Sequence, residues 1–292
     1  MNAELKWGYE YCRDLARRKA GNFYYSFIFL PKTKRRAIHA LYAFCHRGDQ
    51  IADEFQEGNI NGALRDFSEL RKNFRGCLDG KPHSSPLFTA LGDSIRRFQL
   101  SEKHFYQLME GMESDLNFSP FDTFEDLREY CYKVASTVGL LCVEIFGCRD
   151  DSVKVYAENL GVALQLTNII RDIKEDYQRG RVYLPQEDLE RFKYSETDLK
   201  REWTGENFQR LMEFQYQRAL EFYQTADKSL PASERKSQIA SEIMKSIYRK
   251  LLEIIRRRQF QVFNRRISLS GFMKAAIALA TYFDIKFSGS KK

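Results

Sequence analysis

The sequence predicts an all-α fold in a single domain, residues 1–292. Apolar side chains recur every three or four residues along most of the chain, which is the period of amphipathic helices. The six prolines lie outside these periodic segments, so long uninterrupted helices are permitted. The alternating pattern of strands does not recur, and no repeat of about 20–50 residues is found. Hydrophobic residues make up 43% of the chain, enough for a large buried core.

Five segments show the clearest helical pattern. The first begins just after Pro31 and carries Ala37, Leu41 and Phe44 at helical spacing. The second, residues 130–146, is apolar on nearly all sides, so we expect it to lie at the centre of the protein. The third ends at Gly180, in a short loop. We predict helices over residues 34–54, 130–146, 155–177, 207–227 and 238–263.

A sixth apolar segment, residues 271–285, is too short to span a bilayer and carries Lys274 and Asp284. It fits either a core helix or a helix lying in a membrane interface. We interpret it as a core helix.

Charge and cysteine content limit the partners and the location. The net charge is +7, and from residue 241 to the end twelve basic residues face three acidic ones. Such a region suits a phosphorylated substrate, an anionic membrane surface or nucleic acid, or is simply a solvated face. The six cysteines form no CxxC pair and no zinc pattern, and no signal peptide is recognised. Reduced thiols in the cytoplasm are therefore expected.

Two acidic motifs interrupt otherwise apolar helices. Asp49 and Asp53 are four residues apart, so both carboxylates face one side of a helix, about 6 Å apart along its axis. Asn168, Asp172 and Asp176 follow the same spacing on a second helix. A single pair of this kind usually lies on a solvated surface. Two such motifs, each at the end of a core-like helix, indicate that the carboxylates have a partner.

Divalent cations are the partner that this arrangement favours. Mg²⁺ prefers oxygen ligands and typically bridges a few carboxylates to substrate phosphates. Two facing helices of this kind would hold Mg²⁺ around a diphosphate and assist its departure from carbon. Arg47 lies near the first motif, and Arg171, Lys174, Arg179 and Arg181 lie near the second. These cations suit phosphate binding, although salt bridges to the acids are an equal alternative.

Four motifs in this order resemble those of the squalene and phytoene synthases. They comprise the first aspartate-rich motif with the Tyr-Ala-Phe-Cys before it, a central helix, the second aspartate-rich motif and the Arg-Gly-Arg-Val-Tyr-Leu-Pro segment after it. The similarity extends over nearly the whole chain. The four segments are residues 42–54, 130–139, 165–176 and 179–185.

This resemblance implies the isoprenoid synthase fold, with antiparallel helices around a deep apolar cavity. It also implies head-to-head joining of two prenyl diphosphates: one ionises, and the double bond of the other attacks the cation to give a cyclopropylcarbinyl diphosphate. Aromatic side chains would stabilise the cation. The implied metal ligands are Asp49, Asp53, Asn168, Asp172 and Asp176, and the four aspartates also count as catalytic together with Tyr42 and Tyr132. The implied substrate-binding residues are Phe23, His46, Arg47, Gln165, Asn168, Arg171 and Tyr248.

Within the family, residues 23–31 and 134–147 look most like bacterial presqualene diphosphate synthases, which use farnesyl diphosphate. Phytoene synthases, which use geranylgeranyl diphosphate, are the alternative. NADPH would be needed only if the reaction continued to squalene. Three places depart from the family pattern: His46 replaces an arginine, Gln50 replaces an aspartate, and Ala20-Gly21-Asn22 stands where small hydroxyl residues are common.

Three other functions compete with this interpretation. Chain-elongating prenyltransferases and terpene cyclases also use aspartate-rich helices, but lack the other motifs. A non-catalytic assembly factor of respiratory complexes shares the fold, although degraded acidic motifs would then be expected. Nucleic-acid binding has only the basic tail in its favour. The same tail suggests peripheral contact with the inner face of the membrane.

Overall fold

The computed structural model describes residues 2–53, 60–81, 84–148 and 150–287. Helices dominate this part of the chain, and no strand occurs in it. The all-α prediction is therefore confirmed. The helices are α1 (Ala3–Lys19), α2 (Asn22–Phe27), α3 (Lys32–Asp53), α4 (Ile60–Leu78), α5 (Pro86–Phe98), α6 (Glu102–Ser114), α7 (Phe124–Cys131), α8 (Thr137–Phe146), α9 (Ser152–Gln178), α10 (Gln186–Arg191), α11 (Glu196–Lys200), α12 (Glu206–Ser229), α13 (Ile239–Arg257) and α14 (Gly271–Phe287).

The predicted central helix is present, but its middle part is a π-helix and not an α-helix. A π-helical segment, Tyr132–Ser136, joins α7 to α8 without a break. Such wider turns are frequent at functional sites. The buried side chains of α8 pack between two clusters of core residues, as the apolar character of this segment predicts. The largest fully buried side chains include Tyr156 on α9 and Phe208 and Tyr223 on α12.

The turn at the end of α9 directs the side chain of Arg181 into the protein interior. Gly180 has a positive φ of 73°, a conformation that glycine adopts at low cost. The amide of Arg181 then donates to the carbonyl of Asp176 at 2.9 Å, which closes the helix end. The chain reverses at this point, and the Arg181 side chain enters the protein interior, where only 5% of it is exposed.

Two sequence predictions about the C-terminal region are wrong. The predicted helix 238–263 ends at Arg257, because Gln259 and Phe260 adopt positive φ angles near 50° that an α-helix excludes. The segment 271–285 is helical but is not a core helix. Within α14 only Ala278 and Ile285 are buried, and several large apolar side chains are exposed. No helix in the described ranges is both long and apolar enough to cross a bilayer.

Close contact between α9 and the central helical segment depends on two glycines. A Cβ atom on Gly161 would lie 2.5–2.6 Å from the Cα and N atoms of Ser136. A Cβ atom on Gly139 would lie 2.9 Å from the carbonyl oxygen of Ala157. Backbone atoms cannot move away cheaply, so α9 approaches this closely only where a side chain is absent.

We predict that Gly161→Ala lowers the free energy of unfolding by about 1–3 kcal/mol, because the added methyl group pushes two helices apart. Urea unfolding followed by circular dichroism measures the change. Gly271→Ala is the matched control: its Cβ would meet only the hydroxyl of Tyr25, at the mobile tip of a side chain, so little loss is expected. Equal losses in the two variants would contradict the prediction.

Candidate active site

Arg181 joins the first acidic motif to the segment that follows the second. Its Nη1 atom lies 2.9 Å from Oδ1 of Asp53, and its Nη2 atom donates to the carbonyl of Ala52 at 2.6 Å. Arg179 approaches Asp53 from the same segment, at 3.7 Å. The end of α3 and the end of α9 therefore meet around one buried guanidinium.

Asp115 is a site residue that the sequence did not reveal. It lies in a 3₁₀ turn, Asp115–Asn117, directly after α6. Tyr130 and Tyr183 donate hydrogen bonds to its two carboxylate oxygens, at 3.0 and 2.9 Å, and Arg181 lies 3.8 Å away. Burial raises the pKa of Asp115 to about 6, although Arg181 and the two hydroxyls oppose that rise. Both tyrosines belong to recognised motifs, but only the fold shows that they share a carboxylate.

Asp49 lies one helical turn before Asp53, and its ionisation is influenced by the nearby charges of Asp53, Asp115 and Arg181. The residue is exposed to solvent, yet protein atoms surround its carboxyl group closely, as in a concave site. Burial, followed by repulsion from Asp53 and Asp115, raises the pKa of Asp49 to about 7. Ionised together, these carboxylates repel one another and favour a bound cation.

The second motif shows two different environments. Burial opposes ionisation of Asp172, but hydrogen bonds from Arg171 and Arg266 outweigh it and lower its pKa. Arg266 binds Asp172 with two hydrogen bonds, of 2.8 and 2.9 Å. Among the described residues, no arginine forms such a pair of hydrogen bonds with Asp176. Burial and the charge of Asp172 raise its pKa to about 8, against the attraction of Arg179 and Arg181.

Arg266 is a second residue that sequence reasoning missed. It belongs to the basic tail, in the segment between α13 and α14, and is separated from Asp172 by 94 positions. The excess of cations near the C-terminus was visible in the sequence. Which cation reaches the acidic motif depends on how the chain returns to α9.

The donor atoms fit Mg²⁺ in type. The Oδ1 atom of Asn168 is buried and has no hydrogen-bond partner among the described residues, while its amide nitrogen lies 3.4 Å from Oε1 of Gln165. An amide oxygen without a donor is free to bind a cation. Over the described ranges, no group of three or more His, Cys, Asp or Glu side chains is placed to hold a metal ion by itself. The set present is two carboxylates on each helix and this amide oxygen.

Several predicted aromatic residues come together beside the acids. Phe23 on α2 lies 6.4 Å from Tyr42 on α3 and 6.0 Å from Tyr248 on α13, measured between ring centroids. His46 stacks on Tyr42 at 6.1 Å. Arg171 and Tyr248 interact with each other, which connects this group of rings to the second acidic motif.

Two other predicted site residues, Tyr132 and Arg47, are not part of this group of rings. Tyr132 lies in the π-helical segment, where burial and the charge of Glu158 raise its pKa. The structure brings Tyr130, two positions earlier, to the acidic cluster. Arg47 is exposed on α3. Glu54, at the end of the first motif, lies outside the described residues.

Sequence comparison decides the family. Residues 16–273 match the model of the squalene/phytoene synthases. The chain belongs to the squalene/phytoene synthase family. It is 36% identical over 240 residues to 15-cis-phytoene synthase of Synechococcus elongatus, which covers 78% of this chain and 77% of that protein. It is 37% identical over 188 residues to phytoene synthase of Mycobacterium tuberculosis, with 64% and 61% covered.

Solved structures of this family agree with the fold. A dehydrosqualene synthase superposes with a TM-score of 0.86 at 29% identity, over 97% of this chain and 98% of that one. A squalene synthase of Alicyclobacillus acidocaldarius gives 0.79 at 28% identity, over 89% and 97%. The predicted resemblance and fold are thus confirmed. The protein is a prenyltransferase of the head-to-head class, with prenyl diphosphates as substrates.

We predict that stability without metal falls as pH rises from about 4 to 8. The pKa values of Asp49 and Asp176 rise from 3.8 to about 7 and about 8, so the folded state holds protons that the unfolded state has released. Stability is then highest below the unfolded pKa and is lost as pH rises through the folded pKa. Urea unfolding at pH 5 and pH 8 in EDTA measures this loss.

The matched variant is Asp176→Asn, which removes one titrating carboxyl and should reduce the difference between the two pH values. We expect Mg²⁺ added at pH 8 to raise the stability of the unmutated protein, as an ion that binds only the folded state would. A variant that loses as much stability as the parent protein would show that these groups do not titrate as stated.

Proposed function

We propose that this enzyme joins two molecules of geranylgeranyl diphosphate head to head, as a phytoene synthase. The observation that carries the head-to-head activity is the meeting of both acidic motifs around Arg181. The choice of a C20 substrate is supported by the identity of 34–37% to proteins named phytoene synthase. This substrate differs from the farnesyl diphosphate that the sequence motifs favoured.

Condensation of two farnesyl diphosphates to presqualene diphosphate is the second candidate. It is favoured by the structural likeness to a dehydrosqualene synthase, which extends over 97% of the chain. The acidic residues and the arginines would act alike with either chain length. The substrates differ only in the length of the apolar tail.

Diphosphate binding falls to the arginines at the two motifs. Each guanidinium carries five N–H donors, and its planar fork matches phosphate oxygens. Arg171 and Arg266 bind Asp172, and Arg181 binds Asp53, while each keeps donors for a substrate. The acids thus hold the arginines in position before the diphosphates arrive.

We assign the Mg²⁺ ligands to Asp49 and Asp53 on one helix and to Asn168, Asp172 and Asp176 on the other. The fit rests on the raised pKa values of Asp49 and Asp176 and on the unpartnered oxygen of Asn168. When bound, Mg²⁺ supplies charge neutralisation that makes the diphosphate a better leaving group.

The rings of Phe23, Tyr42 and Tyr248, which lie close together, would face the allylic carbon of the substrate. Positive charge develops there as the carbon–oxygen bond breaks, and aromatic faces attract it. The same rings exclude water, which would otherwise capture the cation. Gln165 accepts a hydrogen bond from the amide nitrogen of Asn168, in the second acidic motif.

The location we propose is cytoplasmic, supported by the six cysteines, none of which forms a disulfide bond in the part of the chain that the structure describes. Formation of phytoene needs no reductant, so NADPH is required only if farnesyl diphosphate were carried through to squalene. Contact with the inner face of the membrane would supply the substrates and accept the apolar product.

Incubation of the purified protein with either substrate tests the proposal. With geranylgeranyl diphosphate and Mg²⁺ we expect a C40 hydrocarbon, formed without NADPH and at least about tenfold faster than any product from farnesyl diphosphate. EDTA should abolish the product. Presqualene diphosphate from farnesyl diphosphate alone would establish the second candidate. No condensation product from either substrate would overturn the head-to-head activity and leave a non-catalytic role.

Paired tyrosine variants test which hydroxyl acts in the site. We predict that Tyr130→Phe lowers kcat/KM by about 10–100-fold, because Asp115 loses a hydrogen bond beside the departing diphosphate. Tyr132→Phe should change kcat/KM less than about threefold, because the tyrosine donors to Asp115 among the described residues are Tyr130 and Tyr183. Thermal unfolding of both variants controls for lost stability. A larger loss in Tyr132→Phe would restore the assignment that the motif comparison implied.

A further inference from the structure

Helix α14 carries a continuous apolar stripe on its outer surface. Successive stripe residues are three or four positions apart, so they fall within an arc of about 80° around the helix. The four large members are 48–87% exposed. The stripe comprises Phe272, Ala276, Leu279, Phe283 and Phe287.

The rest of the protein holds this helix with the stripe outward. On the opposite side Ala278 and Ile285 are buried against the body. Tyr282 stacks on Phe29 with ring centroids 4.6 Å apart. Asp284 forms an ion pair with Arg235 at 3.4 Å. These contacts fix the rotation of α14, so the stripe cannot turn inward.

The stripe begins beside the active site. Arg266, five positions before Gly271, binds Asp172 with two hydrogen bonds, so the start of α14 lies close to the second acidic motif. Gly271 lies next to the hydroxyl of Tyr25, on α2. Phe272, the most exposed stripe residue, is in this first turn.

The charges around the stripe are mainly positive. Lys286 lies on α14 beside the stripe, and Asp284 is the single acid of this helix, paired with Arg235. The segment before the helix adds the exposed side chain of Arg265. Two copies of this surface would repel each other, which disfavours self-association through the stripe. An anionic surface would attract it.

We propose that the α14 stripe docks this enzyme on a bilayer that contains anionic lipid. The aromatic and leucine side chains enter the interface between headgroups and acyl chains, and the basic residues bind the headgroups. The choice of a membrane as the occupant rests on the proposed function, because the substrates and the product of that reaction are lipids. Docking on this face brings the active site next to the layer that holds them.

Vesicle flotation tests the proposal with the full-length protein and two multiple variants. The stripe variant carries Phe272→Ser, Leu279→Ser and Phe283→Ser. The control variant carries Val155→Ser and Trp203→Ser, at two exposed apolar residues away from α14. Vesicles contain either phosphatidylcholine alone or phosphatidylcholine with phosphatidylglycerol.

We expect the parent protein to float with the phosphatidylglycerol vesicles, and its partition coefficient to fall when salt is raised. The stripe variant should lose at least about tenfold in partition coefficient, and the control less than about twofold. Both should keep their rate of condensation in lipid-free solution, which separates failure of docking from failure of the proposed reaction.

Three results would overturn the proposal. The first is a parent protein that stays in solution at every lipid composition. The second is a stripe variant that binds vesicles as well as the parent protein does. The third, from sedimentation velocity without lipid, is a dimer that the stripe substitutions convert to monomer in the absence of vesicle binding; the stripe would then be an interface between two copies.

Discussion

Electrostatic repulsion among five carboxylates is the constraint around which this site is built. Asp49, Asp53, Asp115, Asp172 and Asp176 come from three separate parts of the chain and share one region. Burial makes their mutual repulsion stronger than it would be in water. Burial is the main cause of the raised pKa values of Asp49, Asp115 and Asp176, and repulsion from neighbouring carboxylates adds to it. In the proposed function, divalent cations bound to these carboxylates would offset the repulsion and hold the diphosphates.

Arg181 keeps the region folded in spite of that repulsion. Its guanidinium is buried, binds Asp53 and the carbonyl of Ala52, and lies near Asp115. It reaches this place because Gly180 permits the turn at the end of α9. A local property of one glycine therefore determines how two distant acidic helices meet. The repulsion among the carboxylates lowers stability in the region that the proposed function uses for binding, a compromise that is common at active sites.

Site features that depend on the spacing of nearby residues could be predicted from the sequence. Site features that depend on contacts between residues far apart in the sequence could not. The spacing of four residues between Asp49 and Asp53, and between Asp172 and Asp176, can be read directly from the sequence. In a helix this spacing places both carboxylates on one face. The contact of Asp115 with Tyr130 and Tyr183 joins residues 15 and 68 positions apart. The bond from Arg266 to Asp172 spans still more of the chain. Nothing in their local sequence distinguishes these residues from other aspartates or arginines.

The misinterpretation of α14 has a different cause. Apolar composition indicates that a segment leaves water, but it does not indicate whether protein or lipid replaces the water. Helix α14 is apolar on two sides, and the protein covers only one of them, through Ala278, Ile285 and the stacked ring of Tyr282. A soluble core helix of this composition would be covered on both. The asymmetry between the covered and uncovered sides is visible only in the fold, and together with the surrounding cations it is the physical reason to place a lipid surface against the second side.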